Sequence, residues 1–265
     1  MGLFVHEDPY YDPSVRQVGF NRYKQLLSLH AFSWIKLNLL TVLGGLPLAA
    51  GIGYAILSSS ILVLIPLSVL GGMIWGPFLA GLYDGILRGL RDAPGTWWTS
   101  WWKSWRQNGL ESLLPGAILG LLIGMYAFMA ALFWWSASPQ TPGTVALYLF
   151  SGALFLLLNT LYWPQLVLFR QTPLNRMRNI ILFTAKYFWR VAGVTLLQLA
   201  YLLLYVLLAP WTLLLVPILG LWYIVFLSQF LIYTQMDQEL EIEEKFRASC
   251  SKSNPGSDCT SAGRT

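Results

Sequence analysis

Charge is what this chain has least of. Asp, Glu, Lys and Arg make up 11% of its 265 residues, and 56% are hydrophobic. A soluble domain averages about 25% charged residues. So few charges cannot cover the surface of a water-soluble fold of this size, which excludes that class and leaves an integral membrane protein. Histidine is nearly absent: His6 sits in a polar leader and His30 opens the first apolar run. No HExxH, Ser/His/Asp arrangement, P-loop or glycine-rich dinucleotide fingerprint occurs, so we expect no catalytic residue, metal or cofactor site, and no enzymatic activity. The two cysteines, Cys250 and Cys259, fall in the C-terminal tail away from any metal-ligand spacing and read as free thiols in a reducing compartment. The N-terminus lacks the short apolar core of a cleavable signal peptide, and "MGLFVH" lacks the Ser or Thr of a myristoylation pattern. The first apolar span is therefore expected to stay as a signal anchor. The net charge of +5 forms no separate basic domain, which argues against nucleic acid.

What is present is apolar length. A bilayer core of about 30 Å needs roughly 20 apolar residues in helix. Six spans qualify, at about 31–56, 61–87, 113–135, 145–169, 191–209 and 212–234. Gly44, Gly45 and Pro47 are expected to break the first, and "SSS" at 58–60 to turn the chain into the second. The last two share 43 residues, Val191 to Tyr233, or roughly 65 Å of helix, about twice a bilayer. "APWT" at 209–212, with Pro210, supplies the turn between them.

Charge placement then sets orientation. The loops near 57–60, 136–144 and 209–212 hold no charged residue, and all 17 Lys and Arg lie on the other side or at adjoining helix ends. The positive-inside rule makes the charged side cytoplasmic. The architecture is thus an all-α protein of three helical hairpins. It comprises a cytoplasmic N-terminal segment (1–25), a six-helix membrane domain (26–236) and a largely disordered cytoplasmic tail (237–265). Aromatic-basic runs at 33–36, 104–106 and 188–190 open the hairpins. They fit an internal threefold repeat, and equally the interfacial Trp that any membrane helix end carries.

One of those runs is extreme. "TWWTSWWKSWR" at 96–106 places five tryptophans within nine positions. On a helix Trp97, Trp98, Trp101, Trp102 and Trp105 fall within an arc of about 140°, with Lys103 and Arg106 on the rest of the circumference. Thr96 is placed to cap it. The segment, about 96–108, is too short and too charged to span, so we expect an amphipathic helix in the cytoplasmic interface with its rings at headgroup level. The rival reading packs the rings on the protein's own helices or on a partner protein.

Polar residues inside spans are Asn38, Asp84, Asn159, Gln165, Gln198 and Gln229. Asp84 precedes Arg88 by four residues, which favours a helix-end ion pair over a proton or cation site. The uncharged Asn38, Asn159, Gln198 and Gln229 are expected to bridge helices. Gly72–Gly76 and Gly116–Gly120 are small-xxx-small pairs, expected to pack within the bundle rather than to drive dimerisation. The numerous in-span prolines (Pro47, Pro66, Pro77, Pro115, Pro164) keep a small permease open as the alternative.

Several of these stretches resemble the YesL-like family of bacterial integral membrane proteins. They are "FNRY" at 20–23, "NLLTVLGGLPL" at 38–48, "GPFLAGLYDGILRGLRD" at 76–92 and "WWKSWRQNGLESLLPGAILGLL" at 101–122. Arg106 and Asn108 match its "RxN" element. The chain departs in its long apolar stretch between Pro47 and Gly76-Pro77. The resemblance implies the bacterial cytoplasmic (inner) membrane. It also implies an accessory or regulatory role beside carbohydrate uptake, with membrane lipid and a transporter or sensor-kinase component as partners. It supplies no activity of its own.

Overall fold

The computed structural model describes residues 16–93, 95–135, 141–209 and 211–244. Residues 245–265 of the tail expected to be disordered, both cysteines among them, and Pro210 lie outside the described residues, whereas 237–240 of that tail continue α7. All regular structure among the described residues is helical. The seven helices are α1 (Gly19–Leu57), α2 (Ile61–Leu90), α3 (Trp97–Trp135), α4 (Pro142–Leu168), α5 (Pro173–Lys186), α6 (Phe188–Leu207) and α7 (Trp211–Leu240). Six of them, all but α5, are long and apolar enough to cross a membrane. The protein is polytopic.

The helix ends follow local rules. Ser59 takes a left-handed φ of 50° in the turn between α1 and α2. Thr141 caps α4 by accepting from the Thr144 amide, with Pro142 in the first turn. Thr172 and Pro173 repeat the device for α5, where Thr172 Oγ1 accepts from the Asn175 amide.

Three features differ from the sequence reading. First, α1 is unbroken through Gly44, Gly45 and Pro47 and begins at Gly19, well before Ala31. Away from water no solvent competes for the backbone, so one proline does not end a helix when neighbours compensate. The Trp75 indole donates to the Thr41 carbonyl at 2.9 Å and ties α2 to this stretch of α1. Gly44 has no Cβ because the Phe78 ring occupies that space. The remaining expected breakers Pro66, Pro77, Pro115 and Pro164 also lie inside continuous helices. Second, the aromatic segment is helical but is not a helix set apart: it forms the first turns of the 39-residue α3, about 58 Å long. Third, residues 173–186 form α5, a non-spanning helix that buries Arg176, Ile180 and Phe183 on one face. Tyr187 (φ −116°, ψ 33°) breaks the helical path between α5 and α6.

Packing is uneven. α2 is the centre, sandwiched between α1 and α3. Gly71 faces the Leu48 backbone of α1, while Gly72 and Gly76 face Gly116, Gly120 and Ser112 of α3. A Cβ at Gly72 would sit 2.7 Å from Gly120 Cα. The two small-xxx-small pairs are therefore used against each other, inside the bundle. α4 lies at the periphery: buried residues on it are confined to Thr160–Leu166. The main core joins Leu26, Trp34 and Leu37 of α1 to Leu82, Ile86 and Leu87 of α2, with Trp163 of α4 and Trp222 and Phe226 of α7.

Candidate functional site

The intramembrane polar side chains cluster where α7 meets α1, α4 and α6. Asn38, fully buried on α1, reaches the turn of α7 that follows Pro217. Its Nδ2 donates to the carbonyls of Val216 and Pro217, each at 2.8 Å. Its Oδ1 accepts from the amides of Leu221 (2.9 Å) and Trp222 (3.2 Å). One amide thus serves both the carbonyls and the amides of the turn after Pro217. The Tyr201 hydroxyl of α6 sits 2.8 Å from the Leu219 carbonyl and 3.0 Å from that of Gly220. Side chains from two helices therefore hold the backbone of a third.

One layer towards the charged end, Gln198 of α6 links two helices. Its Nε2 donates to Thr160 Oγ1 of α4 (2.7 Å) and to Ser228 Oγ of α7 (2.8 Å). Each hydroxyl passes its own hydrogen to a carbonyl one turn back, Leu156 and Ile224 respectively. Gln229 has a more specific task. Pro164 has no N–H to give to the carbonyl of Thr160, four residues earlier. Gln229 Nε2 donates to that carbonyl at 2.9 Å, replacing the missing bond from another helix. Asn159 departs from the expected bridging role. It stays within α4, donating to the Phe155 carbonyl and accepting from the Trp163 indole at 3.0 Å.

The charged end is laced by ion pairs. Asp84 pairs with Arg88 at 2.8 Å, as the i,i+4 spacing implies, and lies 4.0 Å from Arg91. Arg22 of α1 reaches Asp92 at 2.6 Å, just past α2. Arg16 pairs with Glu243 at 2.7 Å, which puts the two ends of the described chain at the same end of the bundle. From α5, buried Arg176 pairs with Glu111 of α3 at 2.6 Å. These partners escaped the sequence reading because nothing local couples residues 16 and 243, or 111 and 176. A signal for α5 was present. Thr172-Pro173 announces a helix start, and Arg176, Ile180 and Phe183 recur at i, i+4, i+7.

The tryptophans divide into two sets. Trp101 is buried, its indole lying over Gly81 and 5.8 Å from the Phe78 ring. Trp105 is partly buried and stacks on Trp102 at 5.4 Å with nearly parallel planes. Trp98 and Trp102 are 48% and 39% exposed. Lys36 sits 5.2 Å from the Trp97 ring centre, and Arg106 lies 4.8 Å over Trp102. Lys103 and Arg106 are exposed. The aromatic face thus packs on the protein's own helices through Trp101, and an outer indole pair flanked by two cations remains uncovered.

No group of three or more His, Cys, Asp or Glu among the described residues is placed to hold a metal ion. No family model, curated protein or solved structure matches the chain.

Proposed function

We propose that this protein is a non-enzymatic accessory or regulatory component of a carbohydrate uptake system in the bacterial cytoplasmic membrane. It would dock a transporter or sensor-kinase component through the start of α3. The link to sugar uptake comes from the YesL-like resemblance of residues 20–122. The observation that carries the docking role is the split of the aromatic segment. Trp101 anchors the helix on Gly81, while Trp98, Trp102, Lys103 and Arg106 stay exposed beside it. Exposed Trp and Arg on a rigid support are what protein interfaces use as anchors. The polar groups inside the bundle support the same reading, since Asn38, Gln198 and Gln229 are engaged in holding helices together.

The test is affinity purification from native membranes with the wild-type chain and with a variant carrying Trp98→Ser, Trp102→Ser and Arg106→Ser. Recovery of a sugar transporter or kinase subunit by the wild type, lost in the variant, is the expected result. Recovery of neither by the wild type would sink the proposal.

A second reading, a small permease, draws on the turn of α7 after Pro217, whose backbone carbonyls and amides bond to side chains of α1 and α6, since backbone groups turned to side chains at mid-bundle are also what transport sites use. Reconstituted vesicles that pass a sugar or small solute, with passage abolished by Asn38→Leu, would favour it. Vesicles that stay closed to the panel would remove it.

A further inference from the structure

A cleft of about 550 Å³ opens between the charged-end halves of α4 and α7 and the amphipathic helix α5. Its size is that of a small-molecule site. The walls are apolar, with Leu161 from α4 and Met236 from α7 among them. Four polar side chains line it: Gln165, Asn179, Lys186 and Glu239.

Gln165 is 2% exposed, and its Oε1 has no hydrogen-bond partner. A buried amide oxygen without a donor costs about 1–3 kcal/mol and invites one. Asn179 gives one N–H to Gln171 at 3.1 Å and keeps its carbonyl and its second N–H for an occupant. Glu239 takes both Lys186 (2.5 Å) and the Tyr187 hydroxyl (2.7 Å) on the same oxygen, Oε1. Among the described residues nothing donates to Oε2. Lys186 is the lone cation of the cleft lining, and Glu239 holds its ammonium above the usual lysine range. The cleft thus sets a carboxylate oxygen that receives no donor and an ammonium beside two amides that can each accept or donate.

Its surroundings indicate where an occupant comes from. α5 does not span, yet it exposes Leu174, Ile181 and Leu182 beside α4 and α7, which are long and apolar enough to span. A helix of that kind at the end of a bundle lies against acyl chains and headgroups.

We propose that this cleft binds a bilayer phospholipid with a primary-ammonium headgroup, of the phosphatidylethanolamine class. Its three N–H groups would meet Glu239, Gln165 and Asn179, its phosphate would meet Lys186, and its acyl chains would follow Leu161 and Met236. A carboxylate oxygen without a donor, next to two amides, selects a cation that carries N–H groups. Choline, with the same charge and no N–H, satisfies none of them. Phosphatidylglycerol supplies hydroxyl donors but no cation for Glu239. The proposal rests only on membrane residence and is independent of the docking role above.

The test uses the full chain in detergent, titrated with dioctanoyl phosphatidylethanolamine, phosphatidylcholine and phosphatidylglycerol, with retained lipid read by native mass spectrometry. Ethanolamine lipid should bind on the order of tenfold tighter than choline lipid, the scale of one charge-assisted hydrogen bond. Glu239→Gln and Gln165→Leu should each erase most of that preference while choline binding stays the same. Should Gln165→Leu fail to fold, the exposed Glu239→Gln carries the test alone. Equal binding of ethanolamine and choline lipids, a preference for phosphatidylglycerol, or a preference that survives both substitutions overturns the proposal.

Discussion

Two regions of this bundle are held together by different physics. α1, α2 and α3 meet through glycine. Gly71 lets α2 touch the α1 backbone, and Gly72 and Gly76 interlock with Gly116 and Gly120 of α3. α4, α6 and α7 meet through amides and hydroxyls: Thr160, Gln198, Ser228 and Gln229, with Asn38 reaching across from α1. In a bilayer apolar side chains gain little by leaving lipid for protein, so helices associate by close van der Waals contact or by hydrogen bonds. The first region uses one solution and the second uses the other. The difference teaches where tolerance lies. Contact between backbones admits no added atom, whereas a hydrogen-bonded seam loses one bond at a time.

Four experiments test that contrast. Gly116→Leu should have the largest effect. Any Cβ there overlaps the Gly72 carbonyl, and backbone cannot move as a side chain can. Overpacking of this kind costs typically about 1–3 kcal/mol and occasionally more. We expect the upper end, seen as loss of monodisperse protein in detergent. Normal yield and melting would disprove the glycine seam. Asn38→Leu comes next. It strands four backbone groups of α7, and at roughly 0.6 kcal/mol per intramembrane bond the loss is about 2 kcal/mol. A melting temperature equal to wild type would show that the turn after Pro217 closes without it.

Gln229→Leu should cost about 1 kcal/mol by orphaning the Thr160 carbonyl. In a Pro164→Ala background residue 164 regains its N–H, so the same substitution should cost less. A double-mutant cycle measures the coupling, and strict additivity would refute the compensation argument. The smallest effect belongs to Trp98→Leu with Trp102→Leu, which touch neither seam. Stability should stay within about 0.5 kcal/mol, as for exposed positions in general. A larger drop in a chemical denaturation series would mean that the outer indoles are structural.

The ion pair of Arg176 with Glu111 fits neither seam: it ties α5, which belongs to neither region, to α3. Neither residue announced this in the sequence. Glu111 sat at the edge of an expected span and Arg176 in an expected loop, 65 residues apart. The tryptophans show the same limit from the other side. Helical spacing put five rings on one arc, and the structure keeps them there. Which of the rings turn inward depended on Gly81 of α2, because only a glycine opposite lets the Trp101 indole seat. Gln229 illustrates it once more: it was legible as a helix bridge, but its purpose needed Pro164 to stand across from it. The cleft beside α5 was not legible, because the Thr172-Pro173 start and the periodicity of α5 do not say which helices it faces.

Six apolar helices, a membrane class and the crowding of charge toward one end followed from the sequence alone. Each depends on composition and period along the chain, and a bilayer enforces both without regard to partners. The tertiary structure alone decided that prolines bend nothing apart, that Gly72 meets Gly120, and that Gln229 answers Pro164. It alone decided that α5 walls a cleft in which a carboxylate and an ammonium sit beside two amides. Those outcomes depend on which residue faces which across a helix pair. The reason is physical: hydropathy acts residue by residue, whereas close packing and hydrogen bonds act between residues that only the fold makes neighbours.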